Sequence, residues 1–232
     1  MDAIFLAAGR GERMGNLTDF CPKPLLKVCG TTILENSLIA LPKCVHGVVI
    51  VIGYLGGKIR DAVGPKFNDI SVNYIEQKRL SGTASALWEV KKYLTGRFLV
   101  LSADNWYSKS DLERCISYPL SFGVRQVKKP IRYAVAVGKK GLFEGFECTN
   151  TLSGPNPYLA TGTYVLDTRI FDFDPVRLES GQLGLPQTTA VFARENPVKA
   201  VLMENWFSVN TPEDLIKLER RLRCRAIPRP CR

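Results

Sequence analysis

The chain has 232 residues, 45% of them apolar and 23% charged, and this ordinary globular composition excludes intrinsic disorder as its default state. Its formal net charge of +10 favours polyanionic ligands such as nucleotides, phosphorylated metabolites or nucleic acid. The chain has seven cysteines without a Cys-x-x-Cys pair and a single histidine, which argues against a zinc site. The apolar stretch Ala3–Ala8 is too short for a secretion signal or a membrane span. We therefore expect a cytoplasmic protein with reduced thiols.

The first half of the chain alternates short apolar runs with amphipathic stretches. The apolar runs predict four strands, at Ala3–Ala7, Val48–Ile52, Val72–Ile75 and Phe98–Ser102. The stretches between them predict three helices, at Thr32–Leu41, Lys58–Val63 and Thr83–Leu94. Continuous apolar strands that alternate with helices are typical of βαβ units, so we predict an α/β fold with a mainly parallel, mixed sheet flanked by helices.

The second half has a different pattern. Strand-like runs occur at Tyr133–Val137, Thr163–Leu166 and Val198–Met203, separated by segments rich in Gly, Pro and Asn such as 153–157. Long connections of this kind are where a fold of this class usually builds its binding surface. A last helix follows, for which Thr211 is a candidate cap, Pro212 suits the first turn, and Glu213 and Asp214 complement the helix dipole. Without repeats or low-complexity linkers, residues 1–232 are predicted to form one domain.

The turn after the first strand is the first candidate site. Ala7–Ala8–Gly9 has small side chains where the strand ends, and Gly9 and Gly11 allow a tight turn whose N–H groups face phosphate oxygens. Arg10 and Arg13 add donors that suit phosphate. The turn lacks the Gly-x-Gly-x-x-Gly spacing, and no Gly-Lys-Ser/Thr follows, which excludes the two common nucleotide motifs. By itself the turn is equally compatible with a purely structural tight turn.

The continuation of the chain gives this turn a specific meaning. In Cys21–Pro22–Lys23–Pro24–Leu25–Leu26 a lysine stands between two prolines, which restrict the backbone on both sides of it. Together with Leu6–Ala7–Ala8–Gly9–x–Gly11–x–Arg13–Met14, this segment resembles the signature of the sugar-1-phosphate nucleotidyltransferases, such as the glucose-1-phosphate thymidylyltransferases and N-acetylglucosamine-1-phosphate uridylyltransferases. The resemblance implies the Rossmann-like nucleotide-diphospho-sugar transferase fold. It implies a nucleotide-binding half over 1–105, an acceptor-binding half over 106–210, and a C-terminal helix with a basic tail over 211–232.

The resemblance assigns most of the donor site to the first half. Gln77 and the segment Ser81–Gly82–Thr83–Ala84 are similar to the family segment that reads the nucleobase. Arg13 and Lys23 are implied as the catalytic cations that hold the triphosphate and the leaving pyrophosphate. The nucleotide-binding residues implied in this way are Leu6, Ala7, Ala8, Gly9, Gly11, Gln77, Gly82 and Thr83.

Two further positions are implied as ligands of Mg²⁺. Asp104 follows the strand at Phe98–Ser102, as does the metal-binding aspartate of the family, although a lone aspartate after a strand is usually a cap or turn residue. Many members have a second aspartate where this chain has Ser208, and the uridylyltransferases use an asparagine that matches Asn210. The resemblance therefore implies Asn210 as the second ligand; the alternative is that Asn210 and Thr211 simply cap the last helix.

The acceptor side departs from the family pattern. Asn105, Glu147 and Gly162 are implied as acceptor-binding residues, the last within Gly162–Thr163–Tyr164–Val165. Hexose-phosphate enzymes typically carry Glu-Lys-Pro before that strand, whereas this chain has Glu147–Cys148–Thr149. The departure leaves the acceptor class open while the reaction class is unaffected.

The expected function is transfer of a nucleotide from an NTP to a sugar-1-phosphate or similar phosphomonoester, with Mg²⁺ and release of pyrophosphate. The alternatives are a cytidylyltransferase for a phospho-alcohol such as phosphocholine or inositol phosphate, a transferase that loads a pterin or similar cofactor, and a catalytically silent regulatory homologue. The basic tail Lys217–Arg232 has no aromatic residue to stack on a base, so nucleic acid is not expected as a partner, and neither is a membrane. CTP, UTP and dTTP all stay open as donors, and so does a homo-oligomer.

Overall fold

A computed structural model describes residues 1–128, 133–148 and 156–226 of the chain. The strands, numbered in chain order, are β1 Asp2–Ala7, β2 Lys27–Val28, β3 Thr31–Thr32, β4 Gly47–Ile52, β5 Lys66–Phe67, β6 Ile70–Glu76, β7 Arg97–Ser102, β8 Asn105–Trp106, β9 Ser121–Gln126, β10 Tyr133–Val137, β11 Phe143–Cys148, β12 Tyr158–Asp167, β13 Lys199–Leu202 and β14 Phe207–Ser208. The helices are α1 Ile33–Ile39, α2 Gly56–Val63, α3 Thr83–Trp88, α4 Lys109–Ile116, α5 Leu185–Phe192 and α6 Pro212–Ala226. 3₁₀ segments lie at Glu12–Thr18, which is kinked at Gly15, and at Lys23–Leu25, Lys91–Tyr93 and Thr168–Asp172.

Ten of these strands form one mixed sheet in the order β11-β10-β12-β7-β1-β4-β6-β5, with β9 pairing the other edge of β12 and β13 pairing β9. The strands of the first half, β7, β1, β4 and β6, are parallel to one another. In the second half β12 runs antiparallel to β7, β9 and β10. The predicted mixed sheet flanked by helices is confirmed, with its parallel part confined to the first half apart from the β9–β13 pair.

The core lies on both faces of the sheet, and β1 shows how the sequence produces this. Ala3 and Phe5 belong to a buried cluster on one face, which also takes in residues of α1 and α2. Ile4 points to the other face and joins a cluster that includes residues of α3 and α5. Successive side chains of a strand point to opposite faces, so a continuous apolar run is buried on both sides. A third, smaller cluster holds α6 over the first loops through Met14 and Leu218.

The structure extends several predicted elements and divides one of them. The four strands of the first half are found where the apolar runs placed them, within two residues at each end. The helix expected over Thr83–Leu94 ends at Trp88 and continues as the 3₁₀ turn Lys91–Tyr93. In the second half, β9, β11, α4 and α5 were not predicted. Segment 153–155 and the tail beyond Ala226 lie outside the described residues.

Two expectations about the whole chain can be compared with the structure. Cys21, Cys29, Cys44 and Cys115 are free thiols. The side chains of Cys148, Cys224 and Cys231 lie outside the described part. Across the ranges that are described, no helix combines the length and apolar character that crossing a bilayer requires. A cytoplasmic location stays a prediction from the sequence.

Candidate active site

The loop after β1 begins the site at the carboxyl end of the parallel strands. Gly11 has a φ of 71°, a left-handed conformation that side chains other than glycine rarely adopt. A Cβ at Gly11 would also lie 3.1 Å from Cβ of Lys23. At Gly9 a Cβ would meet no atom within 4 Å, because this residue faces open space. The loop therefore packs closely on Lys23 at one glycine and leaves room for a ligand at the other.

Lys23 connects this loop to the strand beside β1. It begins a short 3₁₀ segment after Pro22, and only 5% of the residue is exposed. Its Nζ donates a hydrogen bond to Oδ2 of Asp104 at 2.7 Å. Asp104 stands just beyond β7, and the N–H of Ala103 donates to the carbonyl of Leu6 at 3.1 Å, so the ends of β1 and β7 are held together. Burial with a paired carboxylate is the arrangement that a charged lysine requires.

Asn210 completes this charged cluster from the segment that precedes α6. Its Oδ1 accepts a hydrogen bond from Nη2 of Arg13 at 2.8 Å and lies 3.5 Å from Nζ of Lys23. Its Nδ2 donates to Oγ of Ser208 at 2.6 Å. The side chain of Asn210 is thus turned toward Arg13 and Lys23, and it does not cap the helix.

The start of α6 is fixed by Asp214, where the sequence suggested Thr211. The carboxylate of Asp214 accepts hydrogen bonds from the backbone N–H groups of Asn210 at 3.0 Å and Thr211 at 3.1 Å. Burial raises the pKa of Asp214, but these two donors and Lys217 outweigh that effect and leave the pKa below its ordinary value. Asp214 therefore remains a carboxylate and holds the backbone that presents Asn210.

The donor set of this cluster suits a magnesium ion. Oδ2 of Asp104 and Oδ1 of Asn210 both lie within hydrogen-bond distance of one cationic atom, Nζ of Lys23. One carboxylate and one amide oxygen agree with the coordination preference of Mg²⁺, which binds few protein oxygens and keeps waters and substrate phosphates as its other ligands. Among the described residues no group of three or more His, Cys, Asp or Glu side chains is arranged to hold a metal ion.

Gln77 forms a second part of the site, at the end of β6. Its Nε2 donates to the carbonyl of Gly82 at 3.1 Å and to Oγ of Ser85 at 3.0 Å. Both hydrogens of the amide are therefore used inside the protein, and only Oε1 is left for a ligand. Gln77 can accept a hydrogen bond from a bound molecule but has no N–H to donate to it.

Gly82 is required by its packing as well as by its backbone. It has a φ of 113°, and a Cβ there would come within 2.6 Å of the backbone N of Leu183. The two segments are joined by hydrogen bonds from the N–H of Leu183 to the carbonyl of Ser81 at 2.6 Å and from the N–H of Ala84 to the carbonyl of Leu183 at 3.0 Å. The N–H of Leu185 donates to Oγ1 of Thr83 at 3.0 Å. This close contact brings the segment before α5 into the site.

These parts surround a cavity of about 810 Å³, a size typical of small-molecule sites. The predicted residues that line it are Leu6, Ala7, Ala8, Gly9, Gly11, Arg13, Lys23, Gln77, Gly82, Thr83, Asp104 and Asn210. Lining residues that the sequence analysis did not assign to the site include Pro24, Leu80, Ala86, Ser102, Leu178, Gln182, Leu183, Gly184, Pro186 and Gln187. Most of these belong to segment 178–187, whose sequence has no motif; its two glycines and two glutamines were the only available signal.

The three residues expected to bind the acceptor do not line the cavity. Asn105 is buried, and its Nδ2 donates to the carbonyl of Thr161 at 3.0 Å and to the Tyr107 hydroxyl at 3.2 Å. Burial raises the pKa of Tyr107, which keeps that hydroxyl neutral. Glu147 is exposed on β11, an edge strand. Gly162, with a φ of 68°, packs against Ser102, which lines the cavity. Their acceptor role stays a prediction.

Comparison with known families decides what kind of protein carries this cavity. Residues 2–223 match the family model described as nucleotidyl transferase. The chain belongs to the nucleotidyl transferase family. This match covers the first loop, Lys23, Asp104 and Asn210, and it confirms the resemblance read from the sequence.

Three relatives of this chain within the nucleotidyl transferase family carry different names. The chain is 28% identical over 230 residues to the bifunctional protein GlmU of Methanocaldococcus jannaschii, covering 96% of this chain and 54% of that protein. It is 25% identical over 238 residues to the UTP–glucose-1-phosphate uridylyltransferase AglF of Haloferax volcanii, covering 96% of both. It is 26% identical to the bifunctional IPC transferase and DIPP synthase of Archaeoglobus fulgidus, covering 96% of this chain and 44% of that protein. The chain thus spans about half the length of the GlmU proteins that it matches.

A solved structure gives an independent view of the fold. A Bacillus anthracis protein assigned as a glucose-1-phosphate thymidylyltransferase, solved in complex with a sucrose, superposes with a TM-score of 0.80. The match covers 100% of this chain and 98% of that chain at 20% sequence identity. At this identity the likeness concerns the fold, which agrees with the single α/β domain described above.

Proposed function

We propose that this chain is a nucleotidyltransferase that joins an NTP to a sugar-1-phosphate or a similar phosphomonoester and releases pyrophosphate. The observation that carries the proposal is the convergence of Arg13, Lys23, Asp104 and Asn210 at the carboxyl ends of β1 and β7, inside one cavity. Two cations beside a carboxylate and an amide oxygen provide binding groups for a polyphosphate together with a divalent cation.

The chemistry requires positioning and charge neutralisation more than proton transfer. A phosphomonoester is largely a dianion near neutral pH, because its second pKa is about 6, so the attacking oxygen needs no general base. An in-line displacement at the α-phosphorus forms the bond to the acceptor oxygen and breaks the bond to the pyrophosphate oxygen. His46, the single histidine of the chain, is exposed and does not line the cavity. Catalysis is therefore assigned to groups that orient and stabilise charge.

The polar residues predicted from the sequence each have a defined part in this scheme. Arg13 and Lys23 stabilise the charge of the triphosphate and of the leaving pyrophosphate, and the loop around Gly9 lets phosphate approach the backbone. Gln77 offers Oε1 to an N–H of the nucleobase. Asp104 and Asn210 would hold a divalent cation, for which we propose Mg²⁺, and such a cation supplies charge neutralisation between the phosphate groups.

The acceptor is the open part of the proposal. Relatives named for glucose-1-phosphate support a sugar phosphate. The second candidate is a cytidylyltransferase for a phospho-alcohol, because the family's acceptor lysine is absent at Glu147–Cys148–Thr149 and one relative, the bifunctional IPC transferase and DIPP synthase, is not named for a sugar. Both reactions use the same donor site.

The test is a matrix of five NTPs against a panel of phosphomonoesters that includes hexose-1-phosphates, N-acetylhexosamine-1-phosphates, phosphocholine and inositol phosphate. Pyrophosphate release is measured with Mg²⁺ and with EDTA. Release that needs one NTP, one phosphomonoester and the cation supports the proposal and identifies the acceptor. No release for any pair, from protein shown to be folded, would favour the silent regulatory homologue.

A further inference from the structure

Gln187 has a polar atom that the functions proposed so far do not use. Among the described residues three buried side-chain polar atoms have no hydrogen-bond partner, namely Nε of Arg114, Oε1 of Gln187 and Nε1 of Trp206. Of these three residues, Gln187 is the one that lines the cavity. An unpaired buried acceptor is uncommon in folded proteins and calls for a physical explanation.

The position of Gln187 in α5 explains why its oxygen is unpaired. The helix is preceded by Gly184 as its N-cap, and Gln187 is its third residue. In a capping box a glutamine at this position reaches back to the N–H of the N-cap residue. Here the N–H of Gly184 donates to the carbonyl of Val176 at 2.9 Å instead. The glutamine side chain lies against Gly184, where a Cβ would clash with its amide, but the donor that it would need is already used.

The cost of this arrangement points to a ligand. Burying an acceptor without a partner destabilises the folded protein, and a bound molecule that donates to this acceptor removes the cost. The terminal torsion of a glutamine side chain is soft, so the amide can turn toward the cavity. Gln187 stands beside the segment around Thr83, since α5 begins with the hydrogen bond from Leu185 to the Thr83 hydroxyl. A bound molecule that reaches this wall can supply the missing donor.

We propose that Gln187 is a substrate-reading residue whose Oε1 accepts a hydrogen bond from a donor group of the bound ligand. The donor is an N–H of the nucleobase or an O–H of the acceptor, and the chemistry is the same in both cases. The inference rests on the proposed function, because it assumes that the cavity holds an NTP and a phosphomonoester. It adds a selectivity element in a segment that carries no sequence motif.

The experiment compares wild type with Gln187→Met, which keeps the side-chain length and removes the amide. The control is Gln126→Met, since Gln126 lies on β9 outside the cavity lining and its Nε2 is paired with the carbonyl of Asn156. We expect the KM for one substrate to rise about threefold to tenfold in Gln187→Met, with kcat changed less than about twofold. The substrate whose KM rises identifies the source of the donor. The control should leave both KM values unchanged.

A second readout separates recognition from a structural role. If Oε1 is unpaired in the free protein, then Gln187→Met should raise its unfolding midpoint by about 2–4 °C. A lower midpoint with unchanged KM values would show that Gln187 only caps α5 and would overturn the inference. If wild type releases no pyrophosphate from any pair, the proposed function fails separately. In that event the thermal shifts induced by an NTP and by a phosphomonoester are each compared with wild type. A smaller shift in Gln187→Met for either ligand supports the inference, and equal or absent shifts for both ligands contradict it.

Discussion

At the residue scale, the pairing of Lys23 with Asp104 sets the charge of the cavity. The lysine is almost fully buried, whereas 36% of the aspartate side chain is exposed to the cavity. Asn210 lies beside both Lys23 and Arg13, so two cations share one carboxylate and one amide oxygen. The cluster has an excess of positive charge, and a triphosphate would supply the missing anions.

Replacement of Asp104 tests its assignment. Asp104→Asn keeps the shape but removes the negative charge, and we expect the rate of pyrophosphate release to fall by about 10²–10³. Arg13→Ala should give a loss of similar size. Asp61→Asn, on the exposed face of α2, is the matched control and should keep wild-type turnover. Near-wild-type turnover in Asp104→Asn would remove this residue from the site.

Gly82 gives a prediction that depends on packing alone. Gly82→Ala places a Cβ against the backbone of Leu183 in a left-handed conformation, so we expect a loss of about 1–3 kcal/mol in unfolding free energy and weaker NTP binding. Gly57→Ala is the control, because a Cβ at Gly57 meets nothing within 4 Å and alanine favours a helix. Urea unfolding measures both changes. Equal stability of Gly82→Ala and wild type would show that segment 178–187 moves aside easily.

At the element scale, the sequence predicted the parallel half of the sheet well because its strands are continuous apolar runs buried on both faces. It did not predict β11, in which Glu144, Gly145 and Glu147 interrupt the apolar pattern. The helix from Thr83 was predicted too long because Val90 and Leu94, which fit helical spacing, are buried beside the 3₁₀ turn that follows α3.

The sequence predicted part of the candidate site and missed part of it, as it did for the fold. The donor loop, Lys23, Gln77, Asp104 and Asn210 come from motifs, and the structure brings them together in one cavity. The wall formed by segment 178–187 is held by backbone hydrogen bonds to Ser81 and Ala84. Backbone contacts of this kind leave no pattern in the sequence, so this wall required the structure.

The start of α6 gives a prediction about pH. The pKa of Asp214 in the folded protein lies below its ordinary value of 3.8. The carboxylate therefore contributes stability that is present above about pH 4 and is lost as the pH falls through the folded-state pKa. Asp214→Asn should cost about 1 kcal/mol at pH 7, and this difference from wild type should shrink as the pH falls below 3.8. Urea unfolding at several pH values measures it; a difference that does not change with pH would contradict this role.

At the scale of the whole molecule, β12 joins the two halves of the sheet. It pairs β7 through Thr163–Asp167 and β9 along its other edge, and the register shifts between Ala160 and Tyr164 at Gly162. The shift lies beside Ser102 and the end of β7, which places the second half of the chain next to the donor site. An acceptor bound by that half would thus meet the nucleotide near Asp104.

The basic C-terminus also belongs to this scale. Deletion of 226–232 removes Arg229 and Arg232, which lie beyond the described residues, and leaves the cavity residues in place. We expect unchanged turnover, because Arg13 and Lys23, the cations to which we assign catalysis, are retained. Steady-state rates measured across a salt series provide the comparison. A large loss of rate together with lost salt sensitivity would indicate that the tail binds a polyanion.

The most direct test of nucleotidyl transfer is acceptor-dependent release of pyrophosphate by the wild-type chain, with the mass of the organic product measured in the same reaction. We predict that pyrophosphate forms only when both an NTP and a phosphomonoester are present. We also predict an equal amount of a nucleoside diphosphate-linked product. Pyrophosphate released from an NTP without an acceptor, or none released from folded protein with any pair, would contradict these predictions.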